Sequence, residues 1–215
     1  MRIVIAVFPG FTALDAVGPY QVLEMLPGAE VVYAARTREP VADDADWLTI
    51  VPTATFDEIE SADVLVVPGG PGARRGVGDE ALLDWIRRIH ATTAWTTSVC
   101  TGSLLLGAAG LLRGLNATTH WSAVELLEGY GAAYTAERVV RQGRIVTAAG
   151  VSSGIDMALT LAGMVAGRTV AEAVQLMIEY DPQPPFDSGS VAKASPEAKE
   201  YWAERARESA AAAAG

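Results

Sequence analysis

The chain contains a single cysteine, Cys100, at a position where a thiol can act as a nucleophile. It follows an apolar, β-type run, Ala94–Val99, and precedes Gly102–Gly110, whose small residues suit a helix. This pattern predicts a tight strand-to-helix turn at the carboxyl end of a sheet. The first N–H groups of such a helix favour the thiolate, so we expect a partly exposed Cys100 with a thiol pKa below about 8.5. The alternative is a buried structural cysteine, because a free cysteine packs as a small hydrophobic residue.

Two further loops follow predicted strands and carry residues that suit thiol chemistry. Asp15, within Gly10–Pro19, begins a predicted helix, where a carboxylate can also simply interact with the helix dipole. Gly69 and Gly70 lie in a glycine-rich turn whose N–H groups can approach a ligand, although the turn can also be only a connection. Ligands of open α/β sheets bind outside the carboxyl ends of the strands. A nucleophile, a proton shuttle and anion-stabilising donors are therefore expected to meet there.

The elements that would position these loops alternate along the chain. Strands are predicted at Ile3–Phe8, Glu30–Ala35, Val64–Val67, Ala94–Val99, Val139–Gln142 and Ile145–Ala148, the last two as a hairpin. Helices are predicted at Leu14–Leu26, Asp79–His90, Gly102–Gly110, Ile155–Ala166 and Val170–Tyr180. This alternation indicates an α/β protein with a mostly parallel sheet and helices on both faces.

Composition limits the class of protein. A chain of 215 residues, half hydrophobic and one fifth charged, suits a soluble globular protein. The net charge of −10 argues against nucleic-acid binding, and no apolar run is long enough for a membrane span or a signal peptide. One cysteine cannot form an internal disulfide, so a cytoplasmic location is expected. With two histidines and one cysteine, no metal site is expected.

Several motifs carry a resemblance to a known family. Gly10-x4-Asp15-x3-Pro19, Val67-Pro68-Gly69-Gly70 and Ser98-Val99-Cys100-Thr101-Gly102-Ser103 resemble the ThiJ/PfpI superfamily. Within it, Leu14-Asp15-x-x-Gly18-Pro19, Cys100-Thr101-Gly102, Ala117-Thr118-Thr119-His120-Trp121 and Glu179-Tyr180-Asp181-Pro182-x-Pro184-Pro185-Phe186 resemble the isonitrile hydratases. The resemblance implies a class I glutamine-amidotransferase-like, flavodoxin-like three-layer sandwich over residues 1–189. Residues 190–215 would then form a C-terminal helix, Glu197–Glu208, and a frayed tail, Ala210–Gly215.

The same resemblance implies roles for individual residues. Cys100 is expected to be the nucleophile and Asp15 the acidic residue that contacts it. Thr101 stands where many PfpI-like members have histidine, which disfavours peptidase chemistry, and its hydroxyl is expected to position water or substrate. Substrate or anion binding is expected at Gly69, Gly70, Asp181 and His120, although His120 more readily suits a structural role and Asp181 can also cap a turn.

The activity implied by the resemblance is the hydration of an isonitrile to an N-substituted formamide. Cys100 would form a thioimidate and Asp15 would act as general acid and base, with no metal or organic cofactor. A homodimer is implied as well. Two alternatives stay open at this point: another thiol-dependent reaction of the superfamily, of glyoxalase or amidase type, and a non-catalytic sensor that binds a small molecule or is switched by oxidation of Cys100.

Overall fold

The computed structural model describes residues 1–213 of the protein, so the last two residues of the predicted tail lie outside the described residues. The chain divides into two compact units, Met1–Glu179 and the segment from Tyr180 onwards. The first unit contains the α/β fold. A domain boundary near residue 189 stays a prediction.

The first unit contains the strands and most of the helices. Its strands are β1 (Arg2–Ala6), β2 (Glu30–Ala35), β3 (Val41–Ala42), β4 (Thr49–Ile50), β5 (Ala54–Thr55), β6 (Val64–Val67), β7 (Trp95–Val99), β8 (Asn116–Ala117), β9 (Ala133–Tyr134), β10 (Val139–Gln142) and β11 (Ile145–Ala148). Its helices are α1 (Ala13–Leu23), α2 (Pro71–Gly76), α3 (Glu80–His90), α4 (Gly102–Ala108), α5 (Val124–Gly129), α6 (Ser153–Ala166) and α7 (Arg168–Met177), with single 3-10 turns at Phe56–Glu58 and Trp121–Ala123. The second unit contains α8 (Pro196–Ala213).

Within the described residues, the central sheet has seven strands in the order β10-β11-β7-β6-β1-β2-β5. All neighbouring strands run parallel except β10, which forms an antiparallel hairpin with β11. The central strands β1 and β6 are buried almost throughout, because helices cover the sheet. The predicted α/β, flavodoxin-like fold with a mostly parallel sheet is therefore confirmed.

The helices form two packed groups around this sheet. Helix α6 packs against α1, α7 and strand β11, whereas α4 packs against α2, α3, α5 and strand β7. Since β1, β6 and β7 are adjacent and parallel, the loops that follow them emerge at one edge of the sheet. These are the loops that carry Asp15, Gly69 and Cys100.

Most predicted elements lie within three residues of their observed bounds, and two differences have a clear cause. The short helix α2 is not among the predicted elements, because the glycine-rich turn at Gly69 and Gly70 indicates only a connection, but proline suits the first turn of a helix and Pro71 begins this one. Helix α8 continues to Ala213, through residues predicted to fray, because an alanine run has the highest intrinsic helix propensity.

Candidate active site

Cys100 occupies a strained turn between β7 and α4. Its backbone has φ of 56°, in the left-handed region that a non-glycine residue rarely adopts. The turn is compact because Gly102 begins α4 against the end of β6, where a Cβ would overlap the carbonyl oxygen of Val67. The predicted strand-to-helix turn is therefore present, and strain of this kind concentrates at functional sites.

The expectation of a partly exposed, acidic thiol at Cys100 is wrong. The residue is only 5% exposed, and burial, followed by the nearby charge of Asp15, raises the pKa of the Cys100 thiol to about 12. The backbone N–H groups of Val151 and Thr101 favour the thiolate and lower this pKa, but they do not outweigh the other two effects. Sequence reasoning counted the N–H groups at the start of the helix and overlooked desolvation, which is larger for a fully buried thiol.

Asp15 lies in the first turn of α1 and is completely buried. Its Oδ2 accepts a hydrogen bond of 2.9 Å from the Gly69 N–H, whereas its buried Oδ1 has no hydrogen-bond partner among the described residues. Burial raises the pKa of Asp15 to about 7, and the Gly69 N–H and the Cys100 thiol only partly oppose this rise. A carboxyl group that titrates near neutrality and keeps one oxygen unpaired is suited to move a proton.

Gly69 lies where the three site loops meet. A Cβ at this position would lie 2.8 Å from Asp15 Oδ2, 2.8 Å from Cys100 Cβ and 2.5 Å from the Thr101 nitrogen. Asp15 and Cys100 are therefore neighbours, as the meeting of parallel strand ends predicts. Only glycine leaves room for the carboxyl and the thiol to approach each other here.

The next residue, Gly70, is joined to Thr101. Its N–H donates to Thr101 Oγ1 at 2.8 Å, and that hydroxyl lies 3.1 Å from the Gly70 carbonyl oxygen, to which it donates. Thr101 is 3% exposed. The N–H groups of Gly69 and Gly70, predicted to bind substrate or an anion, are thus occupied by side chains of the site itself.

The hydrogen bonds of the His120 ring within the described residues are to Ser122, and none of them reaches Cys100. Its Nδ1 is 2.8 Å from Ser122 Oγ, and Arg74 donates to the same Ser122 oxygen at 2.8 Å. Burial, followed by the charge of Arg74, lowers the pKa of His120. The imidazole packs so closely on Gly150 that a Cβ there would lie 2.9 Å from His120 Cδ2.

Asp181 belongs to the second compact unit, where it is exposed and its Oδ2 accepts a hydrogen bond of 3.2 Å from Gln183 Nε2. Its predicted contribution to substrate binding stays a prediction.

Three groups at the site were missed from the sequence. Thr119 Oγ1 and Ser103 Oγ each donate to the Cys100 carbonyl oxygen at 3.1 Å. The N–H of Val151, in the loop after β11, faces the Cys100 thiol. The motif around His120 pointed to the segment that contains Thr119, and nothing in the sequence singled out Val151. The predicted contribution of His120 to substrate binding stays a prediction.

Residues 1–213 contain no cluster of three His, Cys, Asp or Glu side chains that could hold a metal ion. Over the same residues, no helix combines the length and the apolar character that crossing a bilayer requires.

Comparisons with known proteins identify the family of this chain. The model of the DJ-1/PfpI family matches residues 1–164. Isonitrile hydratase of Pseudomonas putida is 47% identical over 190 residues, which cover 88% of this chain and 83% of that protein. The glutathione-independent glyoxalase DJR-1.2 of Caenorhabditis elegans is 24% identical over 62% of this chain and 72% of its own. The crystal structure of a ThiJ/PfpI family protein from Pseudomonas syringae superposes with a TM-score of 0.92 at 42% identity, covering 96% of this chain and 86% of that one. This chain therefore belongs to the DJ-1/PfpI family.

Proposed function

We propose that the protein is an isonitrile hydratase, a hydro-lyase that converts an isonitrile and water into an N-substituted formamide. The observation that carries the proposal is the buried pair of Cys100 and Asp15, a nucleophile beside a carboxyl group with an unpaired oxygen. The 47% identity to an isonitrile hydratase supports this substrate class.

The first half of the reaction forms a thioimidate. The Cys100 proton passes to the Asp15 carboxylate while Sγ bonds to the terminal carbon of the isonitrile. Asp15 then gives this proton to the same carbon, whose developing negative charge is thereby quenched. The product is R–N=CH–S–Cys100, and Asp15 is again a carboxylate.

The second half adds water. The oxygen of the water molecule attacks the thioimidate carbon while Asp15 accepts a proton from this water. Asp15 then delivers that proton to the thioimidate nitrogen. Collapse of R–NH–CH(OH)–S–Cys100 breaks the C–S bond, and the hydroxyl proton returns to sulfur through Asp15. The N–H groups of Val151 and Thr101, which favour the thiolate, stabilise the departing sulfur.

The site argues against the alternative functions. An amidase or peptidase must protonate an amine leaving group, usually from a histidine next to the thiol, but the residue after Cys100 is Thr101, whose hydroxyl does not exchange a proton near neutral pH. A redox sensor requires an accessible, low-pKa thiol, and Cys100 is buried with a raised pKa. Glyoxalase-type hydration is the remaining competitor, since a distant relative carries that name.

We also propose that the protein is cytoplasmic and forms a homodimer. The single cysteine, which cannot form an internal disulfide, suits a reducing compartment. Light scattering of the purified protein distinguishes a dimer from a monomer.

The activity is tested with the purified protein and a simple alkyl isonitrile, with formamide formation followed by mass spectrometry. We expect multiple turnovers by the wild type, none by Cys100→Ser, and a rate within about tenfold of wild type for His120→Gln, because His120 moves no proton in this scheme. Methylglyoxal and a peptide substrate are tested in parallel. Turnover of methylglyoxal without turnover of the isonitrile assigns glyoxalase chemistry instead, and peptide cleavage that requires His120 overturns the hydratase assignment.

A further inference from the structure

Hydrogen bonds fix the backbone of Cys100 at both its N–H group and its carbonyl group. The Cys100 N–H donates to the Ala149 carbonyl at 2.9 Å, and the Cys100 carbonyl oxygen accepts hydrogen bonds from Thr119 Oγ1 and Ser103 Oγ. Both hydroxyl residues are at most 1% exposed. A left-handed cysteine persists only where its surroundings determine its conformation, and these hydrogen bonds perform that role.

The carbonyl group held by Thr119 belongs to the same peptide as the Thr101 N–H. A trans peptide is planar, so fixing the direction of its C=O also fixes the direction of its N–H. This N–H is one of the groups that favour the Cys100 thiolate. Donation to the carbonyl oxygen also polarises the peptide and strengthens its N–H as a donor.

We propose that Thr119 is a positioning residue for the nucleophile, because its hydroxyl fixes the Cys100–Thr101 peptide with the Thr101 N–H facing the sulfur. The inference deepens the proposed function and rests on it only for the effect on turnover. Thr119 acts through the backbone of Cys100 and touches no reacting atom, unlike the Asp15 carboxyl.

The neighbouring Thr118 supplies a matched control. It is completely buried like Thr119, but its hydroxyl oxygen has no hydrogen-bond partner among the described residues. Its N–H donates to Thr147 Oγ1 at 2.9 Å, a contact that a side-chain substitution leaves in place. Thr118→Val and Thr119→Val therefore make the same change of shape one residue apart, but only the second removes a hydrogen bond to Cys100.

The first experiment measures alkylation of Cys100 by iodoacetamide at several pH values. Because Cys100 is the only cysteine, the mass of the intact protein reports it directly, without any isonitrile. We expect Thr119→Val to lower the second-order rate constant at pH 8 about three- to tenfold, because the thiolate loses an oriented donor. Thr118→Val is expected to stay within about twofold of wild type, and Thr119→Ser, which keeps the hydroxyl, to restore the rate.

The second experiment measures turnover of the alkyl isonitrile. Thr119→Val should lower kcat at least about tenfold and leave KM within about threefold, since the substrate-binding surface is unchanged. Wild-type alkylation by folded Thr119→Val, or an equal loss in Thr118→Val, overturns the inference. A failure of the proposed function is recognised separately, since wild type would then not turn over the isonitrile while the alkylation rates would still differ. If Thr119→Val does not fold, Thr119→Ala and Ser103→Ala carry the same expectation.

Discussion

Replacing Asp15 by asparagine is expected to stabilise the fold above neutral pH while it abolishes turnover. Asp15 is completely buried, and burial raises its pKa from the ordinary 3.8 to about 7. The folded protein must therefore hold a desolvated carboxylate at pH 8, and this carboxylate opposes folding. Asparagine has no charge and still accepts the hydrogen bond from the Gly69 N–H.

The size of the effect follows from the linkage between protonation and folding. Because the pKa of Asp15 is higher in the folded state than in the unfolded chain, the folded state binds the proton more tightly. The resulting stability is fully present below pH 3.8 and is lost as the pH rises to about 7. The pKa values of Asp15 in the folded and unfolded states differ by about three units, which corresponds to about 4 kcal/mol in the free energy of unfolding. Since the N–H₂ group of the introduced asparagine would itself lie buried without a partner, we expect a net gain of about 2–4 kcal/mol in the free energy of unfolding at pH 8.5.

The assay is urea unfolding of wild type and Asp15→Asn at pH 4.5 and pH 8.5. The gain should be large at pH 8.5 and small at pH 4.5, where Asp15 of the wild type is mostly protonated. Glu60→Gln serves as the control, because it removes the same charge from an exposed position. An equal difference at both pH values, or a less stable Asp15→Asn protein at pH 8.5, refutes the argument that burial of the charge dominates.

Three further predictions concern the same site. The kcat/KM for an isonitrile should rise with pH through an apparent pKa of about 7, because Asp15 must be ionised to accept the thiol proton; a flat profile between pH 5 and 9 contradicts this. Thr101→Val should lower the free energy of unfolding by about 1–3 kcal/mol in urea, since it leaves the Gly70 N–H buried and unpaired, whereas Thr101→Ser should not. Gly69→Ala should abolish turnover, because its Cβ would overlap the catalytic pair, but Gly78→Ala, which points into open space, should leave activity unchanged; equal activity of the two variants contradicts the geometry.

The sheet and the pairing of Asp15 with Cys100 could be predicted because they follow from local patterns. Strand β6 is a continuous apolar run bounded by a glycine-rich turn, which is the pattern of a parallel strand buried on both faces. Once the strands are known to be parallel, their carboxyl ends must lie at one edge. The residues directly after these ends are then neighbours, however far apart they are in the chain.

The effect of burial on the Cys100 thiol could not be predicted in the same way. The pKa of Cys100 depends on how completely α4, the loop after β11 and Asp15 exclude water from the sulfur, and these contacts come from distant parts of the sequence. The hydrogen bond from Thr119 is equally non-local, because it joins the segment after β8 to the turn after β7. In the sequence, Thr118 and Thr119 are indistinguishable, yet only Thr119 reaches Cys100.

The two perturbed pKa values together indicate that the Cys100 thiol becomes nucleophilic only as it reacts with its substrate. Between pH 7 and 12 the pair of Asp15 and Cys100 holds one proton, and the lower pKa of the carboxyl places that proton on sulfur. Such a thiol reacts slowly with oxidants and alkylating agents, because only the thiolate is nucleophilic. An isonitrile carbon differs from these reagents in that it also accepts a proton as the C–S bond forms. The carboxylate that suppresses the thiolate in the free protein is thus the group that carries the proton to the substrate, which explains why the fold retains a buried charge that opposes its own stability.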